Sequence, residues 1–437
     1  MMRALILSIL PCACVVGDDS MGAERTGATR QADTGALSWE SVGDMTVARD
    51  LATMTRLEDG RVLVVGGESD GAFLASTETF DPSTRAWTPR ASLETARDQH
   101  VAVRLEGGRV LVAGGYGDGV YLASAAVYDP TSDVWTDVAP MSAGRLGATA
   151  TLLDDGRVLV TGGYNDNGLT AAAEVFDPSR NSWTSVASMH TARNRHTATK
   201  LEDGRVLVAG GFDGTEGVAE AELYEPDGDT WESAGKLSEP RWLHSVVPVD
   251  GGVLVLGGDV AGAATSSVEW FDAASSTWSE VAPLGHARFG AAAVVWRGSV
   301  LALGGSDANG PLASVESRDP ATGVWSATDS FEVARSAPLG LTLGDETVLV
   351  AGGTDQDGAL ASATLGVSSA CVGCSAGGAN EGGGTADDGT FTGGGCDGCA
   401  EGAGSTSASW LVGALAGIAV VASSRRRRVR SSRSRSG

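Results

Sequence analysis

The sequence predicts an all-β fold, a seven-bladed β-propeller. A Gly-Gly pair recurs seven times at a spacing of 47 or 48 residues, and a Trp and an Arg recur with it. Each repeat contains four short β-prone runs and no helical period, which is typical of a propeller blade. The pairs are Gly66-Gly67, Gly114-Gly115, Gly162-Gly163, Gly210-Gly211, Gly257-Gly258, Gly304-Gly305 and Gly352-Gly353.

Each repeat is predicted to form two β-hairpins, and the third repeat shows them best. Residues 147–153 and the apolar run 158–160 flank an Asp-Gly turn, which predicts the first hairpin. The run 173–176 and a last run around Trp183 flank the Asp-Pro-Ser turn 177–179, which predicts the second. One repeat therefore supplies the four strands of one blade.

The recurring Gly and Trp residues are predicted to be structural. Paired glycines at the end of the second strand permit unusual φ and a close approach of backbones. A Trp supplies a large apolar surface to fill the wedge between blades. The repeating Trp residues are Trp39, Trp87, Trp135, Trp183, Trp231, Trp278 and Trp325.

The order of these residues resembles the kelch repeat, over residues 37–367. In the first five repeats an aromatic residue follows the Gly-Gly pair by 14 residues, and in the first six a Trp follows seven residues later. The resemblance implies a propeller that acts as a protein-interaction or adhesion module. Arg318 and Gly366 replace the aromatic residue in the last two blades, which we expect to pack less tightly.

The phase of the repeats predicts a circularly permuted ring. Trp39 precedes the first Gly-Gly pair with no strand before it, whereas Gly373 stands where a Trp should follow the last pair. The segment 37–41 should therefore supply the outer strand of the blade formed by residues 337–343, 347–351 and 361–367. Closing the ring in this way protects strand edges.

The chain is predicted to have one large domain between two tails. The regions are an export signal at 1–20, a linker at 21–36, the propeller at 37–367, a Gly-rich spacer at 368–409, a short membrane or sorting helix at 410–424 and an Arg-rich cytoplasmic tail at 425–437. The net charge is −24 and the last 13 residues carry seven Arg, so the rest of the chain carries −31. That charge argues against nucleic-acid binding.

Both termini predict export to the bacterial cell surface, the outer membrane or the medium. Met1-Met2-Arg3 precedes a short apolar run, as in a signal peptide, and Cys12 or Cys14 is a candidate for lipidation. The apolar segment 410–422 precedes the Arg cluster, so the positive-inside rule places the propeller outside. A misassigned start codon is the alternative at the N-terminus.

The C-terminal segment resembles the MYXO-CTERM sorting signal of myxobacterial surface proteins. Cys396-Asp397-Gly398-Cys399, the short apolar run and the Arg cluster carry the resemblance. It implies surface display, with the tail removed near the Cys.

All six Cys lie outside the predicted propeller. Cys371 and Cys374 form one Cys-x-x-Cys pair, Cys396 and Cys399 form a second, and the pairs are 21 residues apart, which approaches zinc-ribbon spacing. In an exported Gly-rich spacer, disulfides or a processing signal are the favoured interpretation of these four residues. No cofactor and no metal are expected.

No catalytic residue is predicted. Galactose oxidase also carries a kelch-type propeller, but its copper chemistry uses a Cys-modified Tyr and paired His, and this propeller has no Cys. No Ser-His-Asp arrangement, metal triad or phosphate loop is visible. A carbohydrate-binding, carbohydrate-processing or redox enzyme with an unrecognised site remains the alternative, because propellers host both classes.

The candidate binding residues lie on the face that carries the variable loops after Gly-Gly. They are Arg49, Arg97, Arg145, Arg193, Arg195, Arg241, Arg288, Arg335, Tyr116, Tyr164, Phe212 and Trp242. Phe73 and Tyr121, with Asp70, Asp118, Asp166 and Asp213, occupy the same loops. The predicted partner is a protein or glycan bound by a monomeric propeller.

The repeating Arg residues have a second interpretation, in which they pair with acids or carbonyls inside the protein. His100, His196 and His244 follow three of them and would then pack against the next blade. The binding hypothesis expects that changing Arg193 and Arg241 to Ala removes binding with little loss of stability. A large loss would favour the structural interpretation.

Overall fold

The computed structural model describes residues 37–344 and 347–368, in which the regular elements are β-strands. Seven four-stranded antiparallel sheets follow one another along the chain. Each inner strand contacts the inner strands on either side, and the ring closes between Thr53–Arg56 and Leu339–Gly344. The predicted seven-bladed propeller is therefore confirmed.

Each blade runs from an inner strand near the axis to an outer strand at the rim. From inner to outer, blade 1 comprises Thr53–Arg56, Val62–Val65, Thr77–Asp81 and Ala86–Arg90; blade 2 comprises Val101–Arg104, Val110–Ala113, Ala125–Asp129 and Val134–Val138. Blade 3 comprises Thr149–Leu152, Val158–Thr161, Ala173–Asp177 and Ser182–Val186; blade 4 comprises Thr197–Lys200, Val206–Ala209, Val218–Glu225 and Thr230–Arg241.

The remaining blades follow the same order. Blade 5 comprises Ser245–Val249, Gly252–Leu256, Val268–Asp272 and Thr277–Val281; blade 6 comprises Ala292–Trp296, Ser299–Leu303, Val315–Arg318 and Trp325–Ala327. Blade 7 comprises Leu339–Gly344, Thr347–Ala351, Ser362–Ser368 and Leu37–Asp44. Short ribbons in the variable loops pair Glu68–Ser69 with Ala72–Phe73, Tyr116–Gly117 with Val120–Tyr121, Tyr164–Asn165 with Gly168–Leu169, Asp259–Val260 with Ala263–Ala264, and Ser306–Asp307 with Gly310–Pro311.

Blade 7 confirms the predicted circular closure. Its outer strand comes from the N-terminal end of the propeller, with Leu37 opposite Ser368 and Trp39 opposite Gly366. Thr364 Oγ1 also donates a hydrogen bond of 3.0 Å to the Glu40 carbonyl. The first and last strands of the described chain are thus neighbours in one sheet.

The core lies between the blades. Seven apolar clusters of described residues occupy the seven blade interfaces, including the interface of blades 7 and 1. There Phe80, 0% exposed, shares a cluster with Leu349 and Leu365 of blade 7. Burial of these faces supplies the main stabilising free energy of the ring.

The repeating Trp residues join neighbouring blades at the rim. Trp135 Nε1 donates to the Ala91 carbonyl of the preceding blade at 2.9 Å, and Trp183, Trp231 and Trp278 repeat this bond. In blade 7 a Cβ on Gly366 would meet the Trp39 ring at 2.9 Å, and that ring also packs edge-on against Phe331. The expected looser packing of blade 7 is wrong, since Trp39 fills the space beside Gly366.

The predicted features of the two tails lie outside the described residues. These are the export signal, the linker, the spacer, the helix at 410–424, the Arg-rich tail and the MYXO-CTERM resemblance. The lipidation candidates and the disulfide or processing candidates lie there too, namely Cys12, Cys14, Cys371, Cys374, Cys396 and Cys399. Within the described ranges, no helix is long and apolar enough to cross a membrane.

Candidate functional site

The seven repeating Arg side chains lie inside the ring. Each is 0 to 2% exposed, and each guanidinium donates to the carbonyl of the first Gly of the Gly-Gly pair in its own blade, at 2.7 to 3.2 Å. Five of them also pair with a buried Glu on the third strand: Glu78, Glu174, Glu222, Glu269 and Glu316. The structure thus places these candidate binding residues where their guanidinium groups cannot meet a partner.

Blades 2 and 7 lack that Glu. Ala126 and Thr364 occupy its position, and Arg97 and Arg335 keep hydrogen bonds to the hydroxyls of Ser124 and Ser362, as Arg residues in other blades also do. Burial lowers the pKa of both Arg97 and Arg335 to about 10, against the smaller opposing effects of the charges of Asp137 and Asp355.

The main chain of the Arg residues closes the ring. The N–H of the second Gly in each pair donates to the carbonyl of the Arg that precedes the next blade, as in Gly67 to Arg97 at 2.8 Å. Gly353 to Arg49, at 3.1 Å, completes the circle between blades 7 and 1. Each Arg therefore links two blades, which is the structural interpretation of this repeat.

The three His residues also join blades. Nε2 of His100, His196 and His244 lies 2.8 to 2.9 Å from a Thr hydroxyl of the preceding blade, and the rings are fully buried. Burial lowers the pKa of His100 and of His244 to about 3, so both are neutral at physiological pH.

The face of the propeller that carries the variable loops after the Gly-Gly pairs is called the loop face. On this face a collar of backbone surrounds the axis. It consists of the seven residues two positions after each repeating Arg, all with positive φ between 46° and 62°: Leu51, Gln99, Gly147, Arg195, Leu243, Gly290 and Ala337. Hydrogen bonds join successive members, including Gln99 to Leu51, Gly147 to Gln99 and Arg195 to Gly147. The left-handed backbone turns each chain segment from the loop face into an inner strand.

Arg195 is the one predicted binding Arg that belongs to the collar. Its Nη2 donates to Gln99 Oε1 at 3.5 Å, and its guanidinium lies 5.4 Å from the Trp242 ring centroid. Gly147 stands between Arg195 and Gln99, and a Cβ there would lie 3.6 Å from Arg195 Cγ. Trp242 in turn packs on Phe212 at 5.2 Å between centroids. The structure thus brings Arg195, Trp242 and Phe212 together.

Three carboxylates gather on the same face over blades 1 and 2. Asp50 and Glu68 are half-buried and face each other in an antiparallel bridge, and Asp98 is 3% exposed. Burial and then the charges of Glu68 and Asp98 raise the pKa of Asp50 to about 7. Burial, and to a lesser extent the charge of Glu68, also raise the pKa of Asp98 to about 7. A hydrogen bond from Gln99 and the charge of Arg195 act in the opposite direction and lower it.

Asp98 also has an oxygen without a partner. No described residue donates a hydrogen bond to its Oδ1. This carboxylate cluster was not among the residues predicted from the sequence, although Asp50 and Asp98 directly follow repeating Arg residues.

An aromatic run lies beside the carboxylates. Successive ring centroids from Phe73 to Tyr116, Tyr121 and Tyr164 are 5.6, 5.1 and 5.6 Å apart, across the loops of blades 1 to 3. Tyr116 is the bridge partner of Asp98, so the run adjoins the carboxylates. Tyr164 is 38% exposed and Val120, next to Tyr121, is 53% exposed. The predicted candidates Tyr116 and Tyr164 thus belong to one continuous patch.

The variable loops are uniformly acidic. Each of the seven, from 66–76 in blade 1 to 352–362 in blade 7, contains Asp or Glu, and none contains Lys or Arg. In the described ranges, no group of three or more His, Cys, Asp or Glu is arranged to hold a metal.

Comparisons with known families agree with this architecture. A model of the KLHDC2/KLHL20/DRC7 Kelch-repeats domain matches residues 147–353, and the Kelch motif matches residues 59–94 and 107–142. The propeller is built from kelch repeats. No curated protein sequence matches the chain.

Solved structures share the kelch propeller fold at low sequence identity. A fungal alcohol oxidase of the AA5 family, in complex with copper, is 21% identical with a TM-score of 0.64, over 76% of each chain. The protein YjhT is 15% identical with a TM-score of 0.51, over 66% of this chain and 99% of that one. Likeness at this level shows the fold alone.

Proposed function

We propose that this kelch propeller is a non-enzymatic protein-interaction module, displayed outside the cell, that binds its partner on the loop face. The aromatic run Phe73, Tyr116, Tyr121 and Tyr164 carries the proposal. It crosses three blades, lies on the loops that vary between repeats and remains partly exposed. Aromatic side chains of this kind dominate the binding energy of protein interfaces.

The rest of the propeller supports this choice of face. The opposite ends of the blades carry short turns, such as the Asp-Gly turn beside Arg61, where Asp59 binds the backbone and side chain of the same loop. The seven repeating Arg residues are buried, and their hydrogen bonds stabilise the ring. The loop face retains half-buried Trp242 and Phe212 as well as the tyrosines.

A capture experiment with matched variants tests the binding face. The full chain, tagged and immobilised, would be offered outer-surface proteins of the source cells. Changing Tyr121 and Tyr164 to Ala should abolish capture of the partner with a small change in melting temperature. The control changes Val134 and Val324 to Ser, because these residues are 47% and 56% exposed on other parts of the propeller.

Two outcomes would contradict the proposal. Equal capture by the tyrosine variant and the control would place the binding surface elsewhere. Capture of a glycan, resistant to protease and lost after glycan cleavage, would replace the protein partner with a carbohydrate.

The proposed location has its own test. Protease added to intact cells should digest the propeller or release it from the surface. Removing the seven Arg residues of 425–437 should retain the protein inside, because the positive-inside bias is weakened. Complete protection of the full-length chain in unbroken cells would contradict surface display.

A further inference from the structure

The negative charge of the loop face indicates the chemical character of the partner. We propose that the partner presents a basic side chain, Lys or Arg, that contacts Asp50 and Glu68 above buried Asp98 while its neighbouring apolar residues pack on the aromatic run. This inference rests on the proposed function, since it concerns the same face.

Within the described chain, the buried carboxylate of Asp98 lacks the direct ion pair that the buried Glu residues of the ring have. Five buried Glu residues in the ring pair directly with Arg, at distances that include 2.7 Å for Glu78 and Glu269. Asp98 is equally buried, yet no residue of the described ranges donates a hydrogen bond to its Oδ1. A buried carboxylate oxygen without a hydrogen bond costs free energy, and a cation held nearby by Asp50 and Glu68 would reduce that cost through its charge.

The carboxylates of the cluster also repel one another electrostatically. The charges of Glu68, Asp98 and Asp70 disfavour ionisation of Asp50, and the charge of Glu68 disfavours ionisation of Asp98. Arg195 is the nearby cation for Asp98, and burial with Glu68 nevertheless keeps the pKa of Asp98 at about 7. A cation bound against the cluster would relieve this repulsion and release protons.

The whole loop face carries a negative electrostatic potential. The absence of Lys and Arg from all seven variable loops, each of which carries an acid, makes the face anionic around its circumference. Such a field attracts a basic partner and disfavours an acidic one.

Geometry indicates how the cation and its apolar neighbours would sit. Asp50 and Glu68 are half-buried and therefore accessible, whereas Asp98 is buried and acts through its charge. Glu68 pairs with Phe73, and Asp98 pairs with Tyr116, so aromatic rings adjoin the carboxylates directly. A basic side chain flanked by apolar residues complements this arrangement.

Selection from a phage-displayed library of random dodecapeptides on the immobilised full-length protein tests the proposal. The selected peptides should share one Lys or Arg next to apolar residues. In synthetic peptides, replacing that residue with Gln should weaken binding at least tenfold. Calorimetry in two buffers near pH 7 should show proton release on binding.

Matched protein variants separate a specific cation site from general charge attraction. D50N combined with D98N should weaken binding of the same peptide at least tenfold. E58Q combined with E106Q removes two charges from exposed turns at the other end of the blades, and should change binding less than twofold. An equal loss of peptide affinity in both variants would show that only long-range charge attraction is involved, and would overturn the proposal.

The tyrosine variant distinguishes failure of this inference from failure of the proposed function. In one outcome, peptide binding is lost when Tyr121 and Tyr164 become Ala, but it survives both the D50N and D98N changes and the replacement of Lys or Arg in the peptide. That outcome would overturn the cation site and leave the binding face intact. Peptides indifferent to both variants would overturn the binding face as well.

Discussion

Arg193 donates a hydrogen bond of 2.7 Å to Glu222, and the two side chains are 0% and 4% exposed. Glu222 also accepts hydrogen bonds from the backbone N–H groups of His190 and Thr191, at 2.6 and 3.2 Å. One carboxylate thus fixes both the Arg and the segment that leads to it. Since that segment continues into Asn194 and Arg195, the buried pair positions the loop face.

We expect Arg193→Ala to destabilise the propeller strongly. The change leaves Glu222 buried without its cation and removes the bonds to the carbonyls of Gly210 and Glu220, so the loss should be about 3–5 kcal/mol. Urea unfolding measures it. A large loss is the result that the structural interpretation of these Arg residues predicts, and the binding hypothesis for Arg193 and Arg241 predicts the opposite.

Arg180→Ala is the matched control for that measurement. Arg180 pairs with Asp177 at 2.6 Å, but its side chain is 79% exposed. An exposed pair contributes about 0–1 kcal/mol. Equal losses in the two variants would show that the buried ring does not stabilise the fold as its contacts indicate.

We expect Gly67→Ala to cost more stability than Gly71→Ala. Both glycines have positive φ, +97° and +87°, so Ala is strained at either by about 1–2 kcal/mol. A Cβ at Gly67 would also overlap the Asp50 carbonyl and meet Ala52, whereas nothing lies within 4 Å at Gly71. Thermal unfolding compares them, and indistinguishable melting temperatures would contradict the close packing of the Gly-Gly pair.

We expect deletion of residues 37–44 to unfold or aggregate the propeller. Ser362–Ser368 would lose the strand that covers its edge, and Leu37 would be lost from the core between blades 6 and 7. Size-exclusion chromatography and circular dichroism report the outcome. A chain truncated after residue 368 keeps all seven sheets and should remain folded, so equal behaviour of the two truncations would contradict the closure.

The architecture was predictable because the sequence repeat that encodes each blade has a regular length. The spacing of Gly-Gly and Trp defines the blades, and the phase of Trp39 defines the closure, since a missing outer strand must come from the other end. The burial of the repeating Arg residues was not decided by the sequence. Their partners lie 16 to 29 residues away, and only the folded blade brings them into contact.

The binding face was predicted in part for a related reason. Variable aromatic loops located Tyr116 and Tyr164, because loop length and composition differ there between repeats. The positive φ of Gln99 and Arg195 has no signature in residue type, so the collar and the contact between these two side chains were not anticipated. The carboxylate cluster was missed because Asp50 and Glu68 are 18 residues apart and meet through a single bridge.

We expect the carboxylate cluster to make stability depend on pH. The pKa of Asp98 rises from 3.8 to about 7 on folding, so the folded state binds its proton more tightly than the unfolded state. This contribution to stability is fully present below about pH 4 and is lost as the pH rises through about 7. Asp98→Asn removes the ionisation, so the variant should exceed the wild type by about 1–3 kcal/mol at pH 8 and by much less at pH 4.

Urea unfolding at pH 4, 6 and 8 measures that difference, with Asp118→Asn as the control. Asp118 is an exposed turn residue of the same face with a φ of +50°, a conformation that Asn tolerates. Its replacement removes one charge without removing a buried carboxylate. Two results would contradict a raised pKa of Asp98 in the folded state. In the first, Asp98→Asn differs from the wild type equally at pH 4 and pH 8. In the second, Asp118→Asn shows the same pH trend as Asp98→Asn.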